Sequence, residues 1–404
     1  MKTKYSILLV IWLLILLQAC VVKKPIVAQL SDLSAVKIKL QDKKIFTFEN
    51  EGVFFTNNFP SGRVNQLAKV NDSTFNITIT AENRPINSSA WYAFKIWGKP
   101  QKNVYINLLY PNDKHRYQPK ITTDGQQWET LKEVIVNKDK TEASFKIQLQ
   151  EDTLTVAAQE IISSAQSYQW MDLIVKKYSL KKQIIGSSIG GKPIVALNST
   201  KSDGKKLVVI LSRQHPPEIS GYMAMVQFVE TLLGKTELAK KFMNSYELVI
   251  IPMINPDGVD EGNWRHNFGG VDLNRDWIDF KQPETRAVRD YLLKKVKQQN
   301  AKVYFALDFH STFNDVLYTN LDRTDTNQPG LTSAWVKGLH NFEGVNKTPV
   351  KPSGNGGNVS KAWLGKVLNA EALTYEVGDN TPRPYIKQKA TKVAEVLMEA
   401  LYKN

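Results

Sequence analysis

Residues 207–221 read LVVILSRQHPPEISG, five apolar residues suited to a buried strand followed by a polar turn that sets His215 three residues before Glu218. With nineteen glutamates in 404 residues, a chance His-x-x-Glu is about a one-in-four event, so the pair alone decides nothing. The strand in front of it decides more. LVIIPM (248–253), VYFALDF (303–309) and ALTYEV (372–377) repeat the apolar run, and helical stretches alternate with them. GYMAMVQFVETLLG (221–234) carries an apolar stripe at 225, 228/229 and 232/233, and PETRAVRDYLLKKVKQQN (283–300) and KATKVAEVLMEALYK (389–403) are similar. Apolar strands alternating with amphipathic helices predict an α/β fold, a sheet covered on both faces by helices. In such sheets a site lies beyond the carboxyl ends of the strands.

The chain in front of this pattern has another rhythm. STFNITIT (73–80) alternates apolar and polar residues, and WYAFKIW (91–97), NVYINLLY (103–110) and ASFKIQL (143–149) continue it between turn stretches such as ENRPINSS and YPNDKH. Short strands with no helix-length segment between them predict an antiparallel β-sandwich over residues 43–152, with the α/β catalytic domain over 153–404. The sandwich shows no cluster of titratable residues, which points to a structural or substrate-orienting role.

The chain opens MKTKYSILLVIWLLILLQAC, with Lys2 and Lys4 before an apolar run from Ile7 to Leu17. That run is shorter than the ~20 residues a membrane span wants, and Leu17-Gln18-Ala19-Cys20 has the shape of a bacterial lipoprotein cleavage box. Residues 1–19 are read as a signal peptide and 20–42 as a lipidated N-terminus and linker. Lipidation at Cys20 then implies a protein anchored in the bacterial cell envelope, facing the periplasm or the cell surface. Cys20 is the only cysteine, which excludes disulfides and any cysteine-ligated metal. The formal charge of +14 suits anionic surfaces, cell-wall polymers or acidic peptides. Without a zinc finger, an RNA-recognition signature or a long Lys/Arg run, nucleic acid is not an expected partner. On oligomeric state the sequence is silent.

Chemistry-bearing residues gather at strand ends. His215 follows LVVIL, INPDG follows LVIIPM, His310 follows VYFALDF, and Glu376 ends ALTYE. Two imidazoles and a carboxylate with an open fourth position form the ligand set of a catalytic zinc, one ion per chain. Asp272 is either a carboxylate that orients a ligating histidine or a cap for the turn after it. In NWRHNFGGVDLNRDW (263–277), Arg265 and Arg275 suit a clamp on a substrate carboxylate and a donor to an oxyanion, or else two surface salt bridges.

Taken in order, HPPE, NPDG, RHNFGGVDLNR, DFHS and TYEVG resemble the zinc metallocarboxypeptidases of family M14, over about residues 160–404, and IGSSIGGKPIVAL (185–197) resembles the entry into their catalytic domain. FPSGRVNQL (59–67) and the WYAFKIW strand resemble the N-terminal β-sandwich of the cytosolic carboxypeptidase branch, whose eukaryotic members remove glutamates from proteins. The resemblance implies that His215, Glu218 and His310 ligate zinc and that Asp272 supports His215. It implies that Arg265 polarises the scissile carbonyl and that Asn274 and Arg275 hold the substrate's terminal carboxylate. Glu376 matches the general base. One departure stands out: TPVKPSGNGGNVSKAW (348–363) has the family's glycine pair, Gly356-Gly357, without the tyrosine that commonly closes over substrate. Lys351 on this loop is read as a solvated lysine.

The expected activity is hydrolysis of the C-terminal residue of a peptide or murein peptide. Two alternatives are a zinc deacylase of N-acyl amino acids, since related deacylases share a similar zinc set, and a surface-anchored binding lipoprotein whose site is dead.

Overall fold

The computed structural model describes residues 35–321, 323–353 and 357–403. Cys20 and the expected signal segment lie outside the described residues.

The N-terminal half forms two facing sheets. One runs in the order Ile45–Phe48, Val53–Thr56, Ala93–Gly98, Leu154–Ala157, Lys120–Thr122, Glu129–Thr130; the other runs Gln66–Lys69, Thr74–Thr78, Asn103–Leu109, Glu142–Gln148, Val134–Val136. Alternation does what the pattern predicts: Phe75 and Ile77 of one strand and Val104, Ile106 and Leu108 of its neighbour turn inward and are fully buried. Two features depart from the sequence expectation. Thr74–Thr78 and Asn103–Leu109 pair in parallel, because the chain crosses to the opposite sheet as Ala93–Gly98 between them. The strand Leu154–Ala157 lies past residue 152 yet pairs with Ala93–Gly98, in the middle of the first sheet.

An eight-stranded mixed sheet follows, in the order Lys181–Ser187, Pro193–Asn198, Glu247–Ile251, Lys206–Ser212, Lys302–Thr312, Glu371–Gly378, Val316–Thr319, Val350–Pro352. Its central strands are buried on both sides, which explains their unbroken apolar runs. Val208, Ile210, Leu248 and Ile250 pack with the helices Ile219–Leu232, Leu331–Glu343 and Arg383–Lys403. Their neighbours Leu207, Val209, Val249 and Ile251 pack the other way, with Pro283–Gln299 and Ser360–Leu368. Glu247–Ile251, Lys206–Ser212, Lys302–Thr312 and Glu371–Gly378 all run parallel, so their carboxyl ends share one rim. The last two strands extend further than the sequence suggests, and His310 and Glu376 lie within them as directly opposed residues.

Candidate active site

At the end of Lys206–Ser212 the chain turns through Arg213 in the left-handed region (φ 55°) and delivers His215 to the rim. The INPDG segment braces that turn. Asn255 caps the short helix Pro256–Glu261 through the Gly258 amide, receives the side-chain cap bond at 3.0 Å, and donates its own Nδ2 to the Gln214 carbonyl at 3.0 Å. Glu218 immediately precedes the helix Ile219–Leu232 but makes no side-chain cap bond to it. Its carboxylate is engaged elsewhere: Oε1 lies 2.8 Å from His215 Nδ1 and Oε2 lies 2.8 Å from His310 Nδ1. All three residues are buried.

Each imidazole is held from behind by a carboxylate. His215 Nε2 is 2.8 Å from Asp272 Oδ1, and His310 Nε2 is 2.9 Å from Asp308 Oδ2. Occupying Nε2 in this way aims Nδ1 of both rings at the common point. Burial works against the Glu218 carboxylate, yet the two imidazoles hold its pKa well below the usual range. Burial likewise opposes the charged imidazoles, while Asp308 and Glu218 raise His310, and Glu218 and Asp272 raise His215.

The donor set fits zinc. The ligand atoms of His215, Glu218 and His310 lie within 4.8 Å of one another, the only such metal-binding group among the described residues. Two atoms each about 2.0–2.1 Å from a tetrahedral zinc stand about 3.3 Å apart. The two Nδ1 atoms are separated by 3.2 Å.

Asp272 both caps and supports: Oδ1 accepts from the Asn274 amide at 2.9 Å as well as meeting His215, and Oδ2 accepts from Arg265 Nε at 2.6 Å. Asn274 is fixed through Oδ1, which accepts from the Ser360 amide at 2.9 Å. Arg275 is exposed and donates Nη1 to the Asn274 carbonyl at 2.8 Å. Glu376 is half-buried opposite His310 with its buried Oε2 unpartnered, and desolvation followed by the charge of Glu218 raises its pKa to about 7.

His215, Glu218, Arg265, Asn274, Arg275 and Glu376 line one cavity of about 400 Å³. The sequence reading missed several residues of the site, Asp308 behind His310 and others in the cavity wall. Asp308 had a readable signal, since D-x-H on a strand puts both side chains on one face. Lys361, Tyr318 and Thr374 line the same cavity, as do Asn87, Ser89 and Arg116 of the sandwich, which therefore contributes charge to the site after all. The Lys361 ammonium donates to the Thr319 carbonyl at 3.2 Å, Asn320 Oδ1 at 3.0 Å and the Ser353 carbonyl at 2.9 Å, none of them an anion. Lys351 is exposed and outside the lining. A larger groove of about 760 Å³ carries no candidate ligand, and its Lys389 is paired with Asp315 and Glu343.

Residues 167–334 match the family described as zinc carboxypeptidase, and residues 55–158 match the cytosolic carboxypeptidase N-terminal domain. Cytosolic carboxypeptidase 6 of Caenorhabditis elegans is 28% identical over 236 residues, covering 52% of this chain and 50% of that protein. Cytosolic carboxypeptidase 6 of Mus musculus is 23% identical over 294 residues, 65% of this chain and 54% of that protein. The chain thus spans about half the length of these curated relatives. Among solved structures, a metallo-carboxypeptidase from Burkholderia cenocepacia shares the fold with a TM-score of 0.71 at 20% identity, covering 87% of this chain and 98% of that one.

These findings correct one expectation. The relatives are named cytosolic carboxypeptidases and the N-terminal domain is theirs, so the cell-envelope location, and the lipid anchor at Cys20 that carried it, do not stand. Among the described residues no helix is long and apolar enough to cross a membrane. Residues 167–334 are thus an M14 zinc carboxypeptidase domain, preceded at 55–158 by a cytosolic carboxypeptidase N-terminal domain.

Proposed function

We propose that this chain is a zinc-dependent carboxypeptidase that removes the last residue of a peptide, with a sandwich domain at about 43–158 and a catalytic domain after it. The observation that carries the reading is the convergence of two imidazole Nδ1 atoms and one carboxylate near Glu376, whose buried Oε2 has no hydrogen-bond partner among the described residues. His215, Glu218 and His310 would hold one zinc ion, which when bound supplies Lewis acidity for the attacking water and the scissile carbonyl.

The remaining work falls to the chain's own groups. Asn274 and Arg275 hold the substrate's terminal carboxylate, which sets the last peptide bond in the cavity. Glu376 takes a proton from the attacking water at its free Oε2 and passes it to the departing amine. A carboxyl near pKa 7 is suited to both transfers. Arg265 presents Nη1 and Nη2 to the developing oxyanion, because its Nε is already committed to Asp272. Protein stripped of metal should recover C-terminal trimming on addition of one equivalent of zinc. Absence of trimming at full zinc occupancy contradicts the proposal.

Lys361 favours acidic C-terminal residues. It is a buried cation whose acceptors among the described residues are all neutral, in the wall shared with Tyr318 and Thr374. Burial lowers its pKa to about 8. Peptides ending in Glu should therefore be cut in preference to those ending in Leu at pH 7, and the preference should shrink as pH rises past 8 and the ammonium loses its proton. Lys361→Met should reduce the Glu/Leu ratio of kcat/KM by about 10- to 100-fold. An unchanged ratio would remove Lys361 from specificity. Murein peptides lose their support along with the envelope location, and the loss of a lid tyrosine does not argue for a dead site when the ligands and Glu376 are all in place.

A further inference from the structure

We infer that Glu82 of the sandwich is a positioning residue for Arg265, so that the N-terminal domain forms part of the active-site framework. Glu82 lies between the strands Thr74–Thr78 and Ala93–Gly98 and is 3% exposed. Its Oε2 accepts from the Trp264 amide at 2.8 Å. Its Oε1 accepts from the Arg265 amide at 3.0 Å, the His266 amide at 2.8 Å and His266 Nδ1 at 2.9 Å. Three successive backbone donors from the catalytic domain thus close on one carboxylate from another domain. Bonds to an ionised acceptor are about twice as strong as neutral ones, and a nest of amides is a natural cradle for an anion.

The centre of this nest is Arg265. Its backbone is fixed by Glu82 and its side chain by Asp272, whose other oxygen meets His215. A direct chain of contacts therefore runs from the sandwich to a ligand-bearing imidazole, passing through the guanidinium that faces the cavity. Neighbouring bonds hold the same loop: Arg63 Nη1 reaches the Gly262 carbonyl at 3.1 Å, Trp264 Nε1 reaches the Trp91 carbonyl at 3.0 Å, and Asn83 Nδ2 reaches the Gly270 carbonyl at 2.9 Å. Among these bonds to the 262–270 loop, only those of Glu82 bring an anion to the three amides around Arg265. Burial alone would raise the Glu82 carboxyl, but the His266 bond, the charge of Arg63 and the amides hold it at about 2. It remains an anion across any working pH.

Two readouts on the zinc-loaded full chain test this. The kinetic one rests on the carboxypeptidase reading, and the amide-exchange one does not. Glu82→Gln keeps the shape and removes the charge. It should accelerate exchange of the 264–266 amides by about tenfold while the amides of the central strands stay as in the wild type. It should lower kcat by about 10- to 100-fold with KM nearly unchanged. In an Arg265→Ala background the same change should leave kcat where it is, because the arginine it positions is gone. Wild-type exchange at 264–266 overturns the inference, and so do effects of the two substitutions that multiply. If the wild type cuts no peptide, the functional proposal fails and exchange alone decides the positioning. Should Glu82→Gln not accumulate as folded protein, Glu82→Asp enters the same cycle with the same expected and overturning results.

Discussion

Glu376→Gln is expected to lower kcat by about 10²- to 10⁴-fold while zinc content stays at one per chain. The amide occupies the same volume but neither takes up nor returns a proton. Glu376 is set for both by its place in the sheet. It opposes His310 across adjacent parallel strands, which brings it to the candidate metal group without making it one of the three ligands. Burial with Glu218 nearby lifts its pKa to about 7, close to the pH at which a base is ionised and still basic. More than a tenth of wild-type turnover in the Gln variant would remove Glu376 from the proposed mechanism.

A peptide with an amidated C-terminus should be cut about 10²- to 10⁴-fold less well, in kcat/KM, than the same peptide with a free end. Asn274 and Arg275 both line the cavity, and a guanidinium matches a carboxylate in shape and charge. An amide brings no charge to the arginine, so the register that places the last peptide bond over the site is lost. Arg275→Ala should accordingly impair hydrolysis of free-ended peptides and leave the slow cleavage of amidated ones nearly unchanged. Equal cleavage of both peptides by the wild type would show that Arg275 is not a carboxylate clamp.

Much of this framework was legible in the sequence because it is local. Runs such as LVVIL and VYFALDF announce strands buried on both faces, and parallel pairing brings their ends to a single rim, so His215, His310 and Glu376 could be placed by topology alone. Asp308 was equally local, two residues before His310 on one face of a strand, and was overlooked although a ligating imidazole calls for a partner behind it. Other groups were not legible. Lys361 becomes a buried cation, with no ion-pair partner among the described residues, only once the helix Ser360–Leu368 has set it against Thr319 and Ser353. Glu82 and Arg116 look like ordinary charges in a strand-rich domain, and their partners lie 182–184 and 263 residues away. Docking of the two domains, which no sequence period encodes, gives them meaning. FPSGRVNQL illustrates the same point: Ser61 and Arg63 reach across to Asp260, Val259 and Gly262, so this stretch belongs to the seam as much as to the sandwich. The cell-envelope reading went wrong for a different reason, since it rested on the shape of the first twenty residues and not on the domains that follow.

The most direct measurement is mass spectrometry of a diverse set of free-ended peptides incubated with the zinc-loaded chain, beside a sample containing a chelator. The account predicts loss of single residues from C-termini, acidic ones first, abolished in the chelated sample. Peptides left intact in both samples, or trimming that survives complete removal of the metal, would contradict it.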